Sequence, residues 1–500
     1  MCRLCDEGRP PLDCESRRDF LKASLVAGAA AASVFAATGV ASAQDAPQGT
    51  GTDGRRVLIK GGHVLSMDPA VGDFATADVL VSGRTIEAVG PNLDAGDAEV
   101  IDATGMIVMP GFIDTHHHQF ETALRSFLAD GILVNDGLPE NAINYYEYIL
   151  QKFSMVYRPQ DVYINELFGG LAQLDTGVTT VMDVSQIHHS PEHSDAVVKA
   201  LQDTGRRAVF GYFEGWGDNA KYPGDARRLK TEHFSSDDQL VTMVMGGEIY
   251  IPGYEESWKI GRELGLPVAL HVVGTFGMAP TFDKLAEAGM FGPDNIFIHM
   301  TGMSDMAWEK AADAGAHVSL AVPIEMAMRH GMPPIQKALD LGMQPSLSSD
   351  VECTMSADPF TQMRSTFTLQ RAFANEKALA GDKDVPKLLT SRDVIRFATL
   401  EGAKGLKLDT KTGTLTPGKE ADIILLDATA INVTPLNHVP GAVVTLMDRT
   451  NVDTVMVAGK LRKFRGKLLD VDLPKLTSEL EASRDYVFEA AGVPKDLFRM

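Results

Sequence analysis

Cysteine is almost absent from the chain, and the few cysteines present cannot build a stabilising framework. Three of the four lie within the first 14 residues, and Cys353 stands alone in the remainder. A single cysteine cannot form an internal disulfide, so stability has to come from a buried core. The 500 residues are enough for one large domain or for a barrel with an appended module.

Positive charge is also scarce. The chain has 46 basic and 67 acidic residues, a formal net charge of -21, and no cluster of basic side chains. An acidic surface of this kind argues against nucleic acid or an anionic membrane as the partner and favours a small-molecule substrate. No stretch after Gln44 is long and apolar enough to span a bilayer, so we expect no stable membrane insertion. Methionine-rich segments leave room for a homodimer.

The first 43 residues have the pattern of an export signal. Arg17 and Arg18 precede an alanine-rich, weakly apolar stretch, and residues 41–43 offer a small-residue cleavage site. The pattern resembles a twin-arginine signal, a route used by proteins that fold before export. We therefore expect residues 1–43 to be removed and the protein to be periplasmic. An N-terminal membrane anchor is the alternative, which the weak hydrophobicity of the run disfavours.

Apolar segments of about five residues alternate with amphipathic helical patterns through the middle of the chain. Short buried strands that alternate with helices are typical of an α/β fold, a parallel (β/α)8 TIM barrel. A doubly wound open sheet is the alternative, disfavoured because no glycine-rich phosphate turn follows the first strand. The predicted barrel strands are 112–116, 178–183, 208–212, 241–245, 268–271, 296–299, 318–321 and 346–350.

Two histidines one residue apart end the first of these strands. Side chains alternate along a strand, so His116 and His118 point the same way. Two neutral imidazoles that converge on one point are half of a metal site. In a parallel barrel the chemistry lies at the C-terminal strand ends, and His271, His299 and Asp350 end three further predicted strands. The sequence therefore predicts a metal centre at this end of the barrel.

The same residues divide into metal ligands and catalytic residues. We expect His116, His118, His271 and Asp350 to bind a divalent metal ion, with zinc favoured and iron as the alternative. His299 is predicted to face the metal-activated hydroxide or the substrate oxygen. Asp350 is predicted to be catalytic as well, because a carboxylate there can take a proton from the water.

Three further residues are predicted to line the substrate pocket. His188 and His189 lie in the loop after the second strand, and Glu325 lies near a later strand end. An ordinary surface position is the alternative for each of them. Glu121 and Arg125, at i,i+4 spacing after the first strand, are expected to form a local ion pair.

Taken together, these motifs resemble the amidohydrolase superfamily, in the branch that contains cytosine deaminase and the triazine hydrolases. The resemblance implies a barrel over residues 109–407, flanked by a composite β-sandwich built from 55–108 and 408–470. A C-terminal helical tail, 471–500, would follow. It also implies hydrolysis at carbon, usually of a C–N bond, by a metal-bound hydroxide. The matching pieces are 110–118, 177–183, His271, His299, Asp350 and 413–422.

Two departures from the family pattern bear on the reaction. The resemblance implies, for deaminases of this branch, a glutamate three residues after the histidine of the fifth strand. This chain has Gly274 at that position. Glu248, Glu325 and Glu352 are the candidates for its role. The absence favours hydrolysis of an amide, cyclic amide, urea or carbamate over deamination of an aromatic N-heterocycle, which is the alternative. Two-metal relatives have a lysine after the fourth strand, and residues 241–247 contain none, which favours one metal ion.

A function of a different class is a periplasmic binding protein that keeps a metal as an anchor but has lost turnover. Gly274 is the one feature that favours it, whereas the intact ligands and proton shuttle argue against it. A binding protein would return its ligand unchanged, and an enzyme would convert it.

Overall fold

The structure, a computed structural model, describes residues 45–498, and the predicted signal sequence lies outside the described residues. Strands at both ends of this part frame a central alternation of strands and helices. The strands in chain order are β1 (Arg56–Val64), β2 (Phe74–Ser82), β3 (Thr85–Gly90), β4 (Glu99–Asp102), β5 (Met106–Pro110), β6 (Phe112–His117), β7 (Val178–Ser185), β8 (Arg207–Tyr212), β9 (Val241–Gly246), β10 (Val268–Val273), β11 (Asn295–Thr301), β12 (His317–Leu320), β13 (Ser346–Leu347), β14 (Ile423–Asp427), β15 (Val452–Val457), β16 (Lys460–Phe464) and β17 (Lys467–Leu468).

Most helices connect successive barrel strands. The α-helices are α1 (Pro159–Asp175), α2 (Pro191–Thr204), α3 (Ala226–Glu232), α4 (Tyr254–Glu263), α5 (Ala279–Glu287), α6 (Asp305–Asp313), α7 (Val322–Ala327), α8 (Ile335–Asp340), α9 (Pro359–Leu379), α10 (Ser391–Arg396), α11 (Gly402–Gly405), α12 (Val439–Thr445) and α13 (Leu473–Ala490). Short 3-10 helices occupy Gln119–Leu124, Pro139–Asn141, Ser154–Val156, Gly274–Phe276 and Arg449–Asn451, and π-helices occupy Tyr145–Phe153 and Phe397–Glu401.

Strands β6 to β13 form one parallel sheet in the order of the chain. All eight segments predicted as barrel strands contribute to it, so the predicted fold class is confirmed. Every residue of β6, β7 and β8 is buried, because helices cover the outside of the barrel and side chains fill its inside.

The barrel closes between the end of β6 and the segment that follows β13. The amide of His118 donates to the carbonyl of Asp350 at 2.9 Å, and the amide of Asp350 donates to the carbonyl of His116 at 3.0 Å. His117 and Asp350 form the corresponding parallel bridge. The hydrogen bonds that close the barrel are therefore made by residues of the predicted metal centre.

Segments from both ends of the described chain join in a second, mixed sheet. Its nine strands run in the order β17, β16, β15, β14, β5, β1, β2, β3, with β4 paired to β1. Strand β14 pairs antiparallel with β5, and so joins the segment after the barrel to the one before it. The domain boundaries given above stay predictions.

A buried arginine connects this mixed sheet to the barrel. Arg207, at the start of β8, is buried together with Asp422, just before β14. Its Nε donates to Asp422 at 2.8 Å, and its guanidinium also contacts Glu420 at 2.5 Å. Two carboxylates on one guanidinium compensate the loss of hydration of these charges.

Candidate metal centre

Three histidine rings meet at the C-terminal end of the barrel. Nε2 of His116 lies 2.9 Å from Nε2 of His118 and 3.1 Å from Nε2 of His271. Alternation along β6 brings the first two rings to the same side, and β10 delivers the third. A tetrahedral cation at about 2.0–2.1 Å from each nitrogen would hold such atoms roughly 3.3 Å apart. The spacing of the three nitrogens suits a divalent cation.

Asp350 and His299 complete the cluster. Oδ1 of Asp350 lies 3.6 Å from Nε2 of His116 and 3.5 Å from Nε2 of His118, and its Oδ2 lies 3.5 Å from Nε2 of His299. His299 and Asp350 both have left-handed backbones, with φ of 72° and 61°. Left-handed backbone in a residue other than glycine costs about 1–3 kcal/mol, and such strain concentrates at functional sites.

The protonation of the rings also fits a cation. Burial lowers the pKa of His116 and of His118 well below the ordinary value, so both rings are neutral. Nδ1 of His118 faces the carbonyl of Val184 at 2.8 Å, which can only accept. The proton of His118 therefore lies on Nδ1, and the lone pair on Nε2 is free to bind a metal. Oδ2 of Asp350 has no hydrogen-bond partner among the described residues.

Two buried carboxylates orient the other rings. Glu248 binds Nδ1 of His271 at 2.5 Å and also accepts from the His271 amide, while Glu325 binds Nδ1 of His299 at 3.0 Å. Burial lowers the pKa of His271, but the attraction and hydrogen bond of Glu248, together with the charges of Asp350 and Glu214, outweigh it and the net pKa is raised. A carboxylate behind a ring, as Glu248 lies behind His271, fixes the ring and raises its basicity as a ligand.

The three candidates for the role of the missing glutamate all have other partners. Glu248 and Glu325 are occupied by histidine rings, and Glu352 forms an ion pair with Arg125 at 2.8 Å. None of the three is among the described residues that line the cavity at the metal centre. Asp350 is the one carboxylate in that lining, and burial raises its pKa to about 7. A group of that pKa can both take and give a proton near neutral pH.

The ion pair expected between Glu121 and Arg125 is not formed. Arg125 pairs with Glu352, and the buried Glu121 accepts from the hydroxyl of Tyr145 at 2.7 Å. The reason is that Gln119–Leu124 is a single 3-10 helix that ends before Arg125, so the i,i+4 geometry of an α-helix is lost.

A small cavity of about 40 Å³ opens beside the five clustered residues, and we call it the inner cavity. Tyr145 and His330 form part of its wall, and the ring of His330 lies 4.7 Å from that of His299. No sequence motif identifies His330. It lies in the loop after α7, away from the end of a predicted strand. Tyr145 lies in the π-helix, in a loop that no motif identifies.

The two histidines predicted for the substrate pocket bond to neighbouring loops and do not line the inner cavity. His188 contacts the hydroxyl of Ser194 at 3.0 Å. His189 accepts from the amide of Trp216 at 3.0 Å through Nδ1, and its Nε2 faces the carbonyl of Ser154. Neither ring lines the inner cavity, and a pocket role for them and for Glu325 stays a prediction.

A second cavity of about 450 Å³, which we call the outer chamber, adjoins the inner cavity. Tyr146, Leu150, Gln186 and Tyr250 line both. Glu214 also lines it, two residues after the end of β8. The rule that found the other residues, a polar side chain at a C-terminal strand end, would have found Glu214 as well.

Comparison with protein families gives two matches. A model of the amidohydrolase family matches residues 107–462, and a model of the twin-arginine translocation signal sequence matches residues 16–33. The signal match confirms the predicted export. Across residues 45–498, the structure contains no helix with the length and apolar character needed to cross a membrane.

The chain is similar to curated deaminases over nearly their whole length. It is 26% identical to the 5'-deoxyadenosine deaminase of Methanosarcina acetivorans, over 86% of this chain and 98% of that protein. It is 27% identical to the 5-methylthioadenosine/S-adenosylhomocysteine deaminase of Pyrococcus abyssi, over 85% and 98%.

Solved structures share the fold. A zinc-bound adenosine deaminase of Xanthomonas campestris superposes with a TM-score of 0.74 at 22% identity, over 88% of this chain and all of that one. The atrazine chlorohydrolase of Arthrobacter aurescens in complex with zinc gives 0.71 at 20% identity, over 86% and 100%.

Proposed function

The chain belongs to the amidohydrolase family, and on that premise we propose that it is an exported hydrolase of non-peptide C–N bonds. Its substrate is a small amide, cyclic amide, urea, carbamate or N-heterocycle. The observation that carries this proposal is the cluster of the His116, His118 and His271 Nε2 atoms beside the inner cavity, with Oδ1 of Asp350 3.6 Å and 3.5 Å from the first two. The position of Asp350 in the cavity wall offers the proton transfer that turnover needs and that a metal-anchored binding protein does not.

The proposed ligands of the metal are His116, His118, His271 and Asp350. We propose one ion, zinc, with iron as the alternative, since imidazole and carboxylate suit both. A bound divalent cation would lower the pKa of water and polarise the carbon under attack. Zinc in the related adenosine deaminase and atrazine chlorohydrolase supports this choice.

Asp350 is proposed as the proton carrier. Its carboxyl accepts a proton from the attacking water and delivers it to the leaving nitrogen. Burial raises its pKa to about 7 before a cation is bound, and its position in the wall of the inner cavity places it beside the reacting group. With Gly274 in place of the family glutamate, no second carboxylate of the described lining competes for this role.

His299 is proposed to stabilise the oxyanion that develops on the attacked carbonyl. Burial raises the pKa of Glu325 and lowers that of His299, so both are neutral. The neutral carboxyl donates to Nδ1, which leaves the ring proton on Nε2, the atom that faces Asp350. A fixed N–H donor aimed at the reacting group is the arrangement that stabilises a developing negative charge.

The test starts from purified protein with its metal content measured. We expect one divalent ion per chain and hydrolysis of at least one member of a panel that contains an amide, a lactam, a urea, a carbamate and an N-heterocycle. Removing the metal with a chelator should abolish turnover, and zinc should restore it. A zinc-restored protein that hydrolyses none of these classes would contradict the proposal.

Deamination of an aromatic N-heterocycle is the second candidate, and the similarity to curated deaminases favours it. Gly274 weighs against it, because the inner cavity has no second carboxylate among its described lining to protonate a ring nitrogen. An aminated heterocycle and a lactam separate the two, since the heterocycle releases ammonia and the lactam opens without releasing any.

We propose the periplasm as the destination, because the twin-arginine signal directs export. The homodimer expected from the methionine-rich segments stays a prediction.

A further inference from the structure

The outer chamber is an order of magnitude larger than the inner cavity, at about 450 Å³ against about 40 Å³. The inner cavity therefore has room for the group that reacts and little else. Because Tyr146, Leu150, Gln186 and Tyr250 line both spaces, a ligand seated in one extends directly into the other. A substrate larger than its reacting group has to place the remainder in the outer chamber.

Large, partly exposed apolar side chains line the wall of the outer chamber. Tyr146 is 39%, Met155 45% and Trp216 44% exposed, and all three line the chamber. Contiguous exposed apolar surface in a soluble protein marks a binding site. The amide of Trp216 is held by Nδ1 of the buried His189, so its position in the wall is fixed.

One carboxylate lies in this wall. Glu214 is 3% exposed, and its Oε1 accepts from Nε2 of Gln186 at 2.8 Å and from the hydroxyl of Tyr250. Oε2 has no hydrogen-bond partner among the described residues. A buried carboxylate oxygen without a partner is unfavourable, and a bound ligand that donates a hydrogen bond to it removes that cost.

The charge of the chamber is of one sign. Its described lining contains Glu214 and no lysine, arginine or histidine. Burial, together with repulsion from the nearby Glu248, raises the pKa of Glu214 to about 7, as expected where no cation compensates it. Tryptophan and tyrosine faces attract cations, and Trp216, Tyr146 and Tyr250 surround the same space.

We propose that the outer chamber binds the part of the substrate that does not react, and that Glu214 and Trp216 select a cationic nitrogen group there, such as an amidinium, guanidinium or ammonium. The N–H of that group donates to Oε2 of Glu214, and its charge lies against the indole face. The inference rests on the proposed function only in treating the bound molecule as a substrate. Binding in the outer chamber itself does not require turnover.

Calorimetric titration with two probes of similar size tests the proposal. Benzamidinium carries the cation, and benzyl alcohol carries a neutral hydroxyl donor on the same ring. The metal-loaded protein should bind benzamidinium at least about tenfold more tightly. Glu214→Gln should weaken benzamidinium about tenfold and change benzyl alcohol less than about twofold, because the amide keeps the shape and loses the charge.

Glu479→Gln is the matched control. It removes the same charge from a half-exposed position on α13, and it should bind both probes like the unmodified protein. Trp216→Leu changes an exposed side chain, so its effect does not depend on refolding of the core, and it should weaken benzamidinium several-fold. Tryptophan fluorescence gives a second readout, since Trp258 and Trp308 are each only 2% exposed and a change reports Trp216.

Equal affinity for the two probes, or an unchanged benzamidinium affinity in Glu214→Gln, would overturn the proposal. A neutral donor such as a sugar hydroxyl would then be the better occupant. Failure of the proposed hydrolase function would give a different result. The preference for benzamidinium and its loss in Glu214→Gln would persist, while no compound of the C–N panel would be hydrolysed.

Discussion

At the scale of single residues, three of the four clustered rings are held through Nδ1, whereas Nδ1 of His116 has no hydrogen-bond partner among the described residues. A backbone carbonyl holds His118, and Glu248 and Glu325 hold His271 and His299. The same device serves two purposes. In His118 and His271 it leaves Nε2 for the proposed cation, and in His299 it holds Nε2 toward Asp350, where the proposed role needs a proton.

This difference between His271 and His299 can be measured. His271→Ala removes a proposed ligand, so we expect loss of both bound metal and turnover. His299→Ala should keep the metal and lose about 100–1,000-fold in kcat, the usual cost of removing an oxyanion donor. Metal analysis alongside kinetics decides, and equal metal content in the His271 variant and the unmodified protein would refute the ligand assignment.

Glu248→Gln keeps the hydrogen bond to His271 but removes the charge that makes its ring basic. We expect metal affinity to fall about 10–100-fold, the usual effect of altering a carboxylate behind a histidine ligand. Competition with a chelator of known affinity measures the change. The exposed Glu479→Gln should bind metal normally, and a Glu248 variant that did the same would exclude this role.

The ligand candidates could be predicted from the sequence because each ends a strand, whereas their supporting residues could not. Glu248 lies 23 residues before His271, in the loop after β9, and Glu325 lies 26 residues after His299, in the short helix α7. Which carboxylate reaches which ring depends on how that loop and that helix pack at the barrel mouth. The sequence predicted Glu248, Glu325 and Glu352 as candidates for the role of the missing glutamate. It could not show whether each of them bonds to a histidine ring or lines the cavity.

At the scale of elements, periodicity predicted the barrel strands and failed in the loop after β6. The buried residues Tyr145, Ile149 and Phe153 recur every four positions, a spacing that an α-helix shows as well, yet the segment is a π-helix. π-helices are rare and usually lie at functional sites. This one brings Tyr145 and Tyr146 to the two cavities, a placement that no α-helical pattern could have indicated.

The contact between the barrel and the mixed sheet depends on Arg207. Arg207→Ala should destabilise the protein by about 3–5 kcal/mol, because it leaves Glu420 and Asp422 without their partner in a buried contact. Thermal unfolding measures the loss. Arg227→Ala breaks a surface pair with Glu263 and should change stability by about 0–1 kcal/mol. Equal effects of the two changes would show that burial of the Arg207 pair does not matter.

At the scale of the whole molecule, acidic groups enclosed in the fold make stability depend on pH. Glu121 is fully buried, and burial raises its pKa from 4.5 to about 8 despite the hydrogen bond from Tyr145. The folded state therefore keeps a proton on Glu121 that the unfolded state releases. Its contribution to stability is complete below about pH 4.5 and declines as the pH rises to about 8.

Glu121→Gln removes this titration while keeping an acceptor for Tyr145. Between about pH 5 and pH 8 the unmodified protein should lose stability more steeply than the variant, by up to about 1.4 kcal/mol per pH unit. Urea unfolding at several pH values, with metal present throughout, measures the two slopes. Parallel slopes would mean that Glu121 is ionised in the folded protein.

The closure of the barrel has a consequence for how the protein matures. The backbone of His116, His118 and Asp350 seals the ring, and the side chains of the same three residues are proposed to hold the cation. A nascent chain that has not yet added its eighth strand can neither seal the ring nor offer a full set of donors. Binding of the proposed cation would therefore require a finished barrel, and in a protein that folds before export this step would precede passage across the membrane.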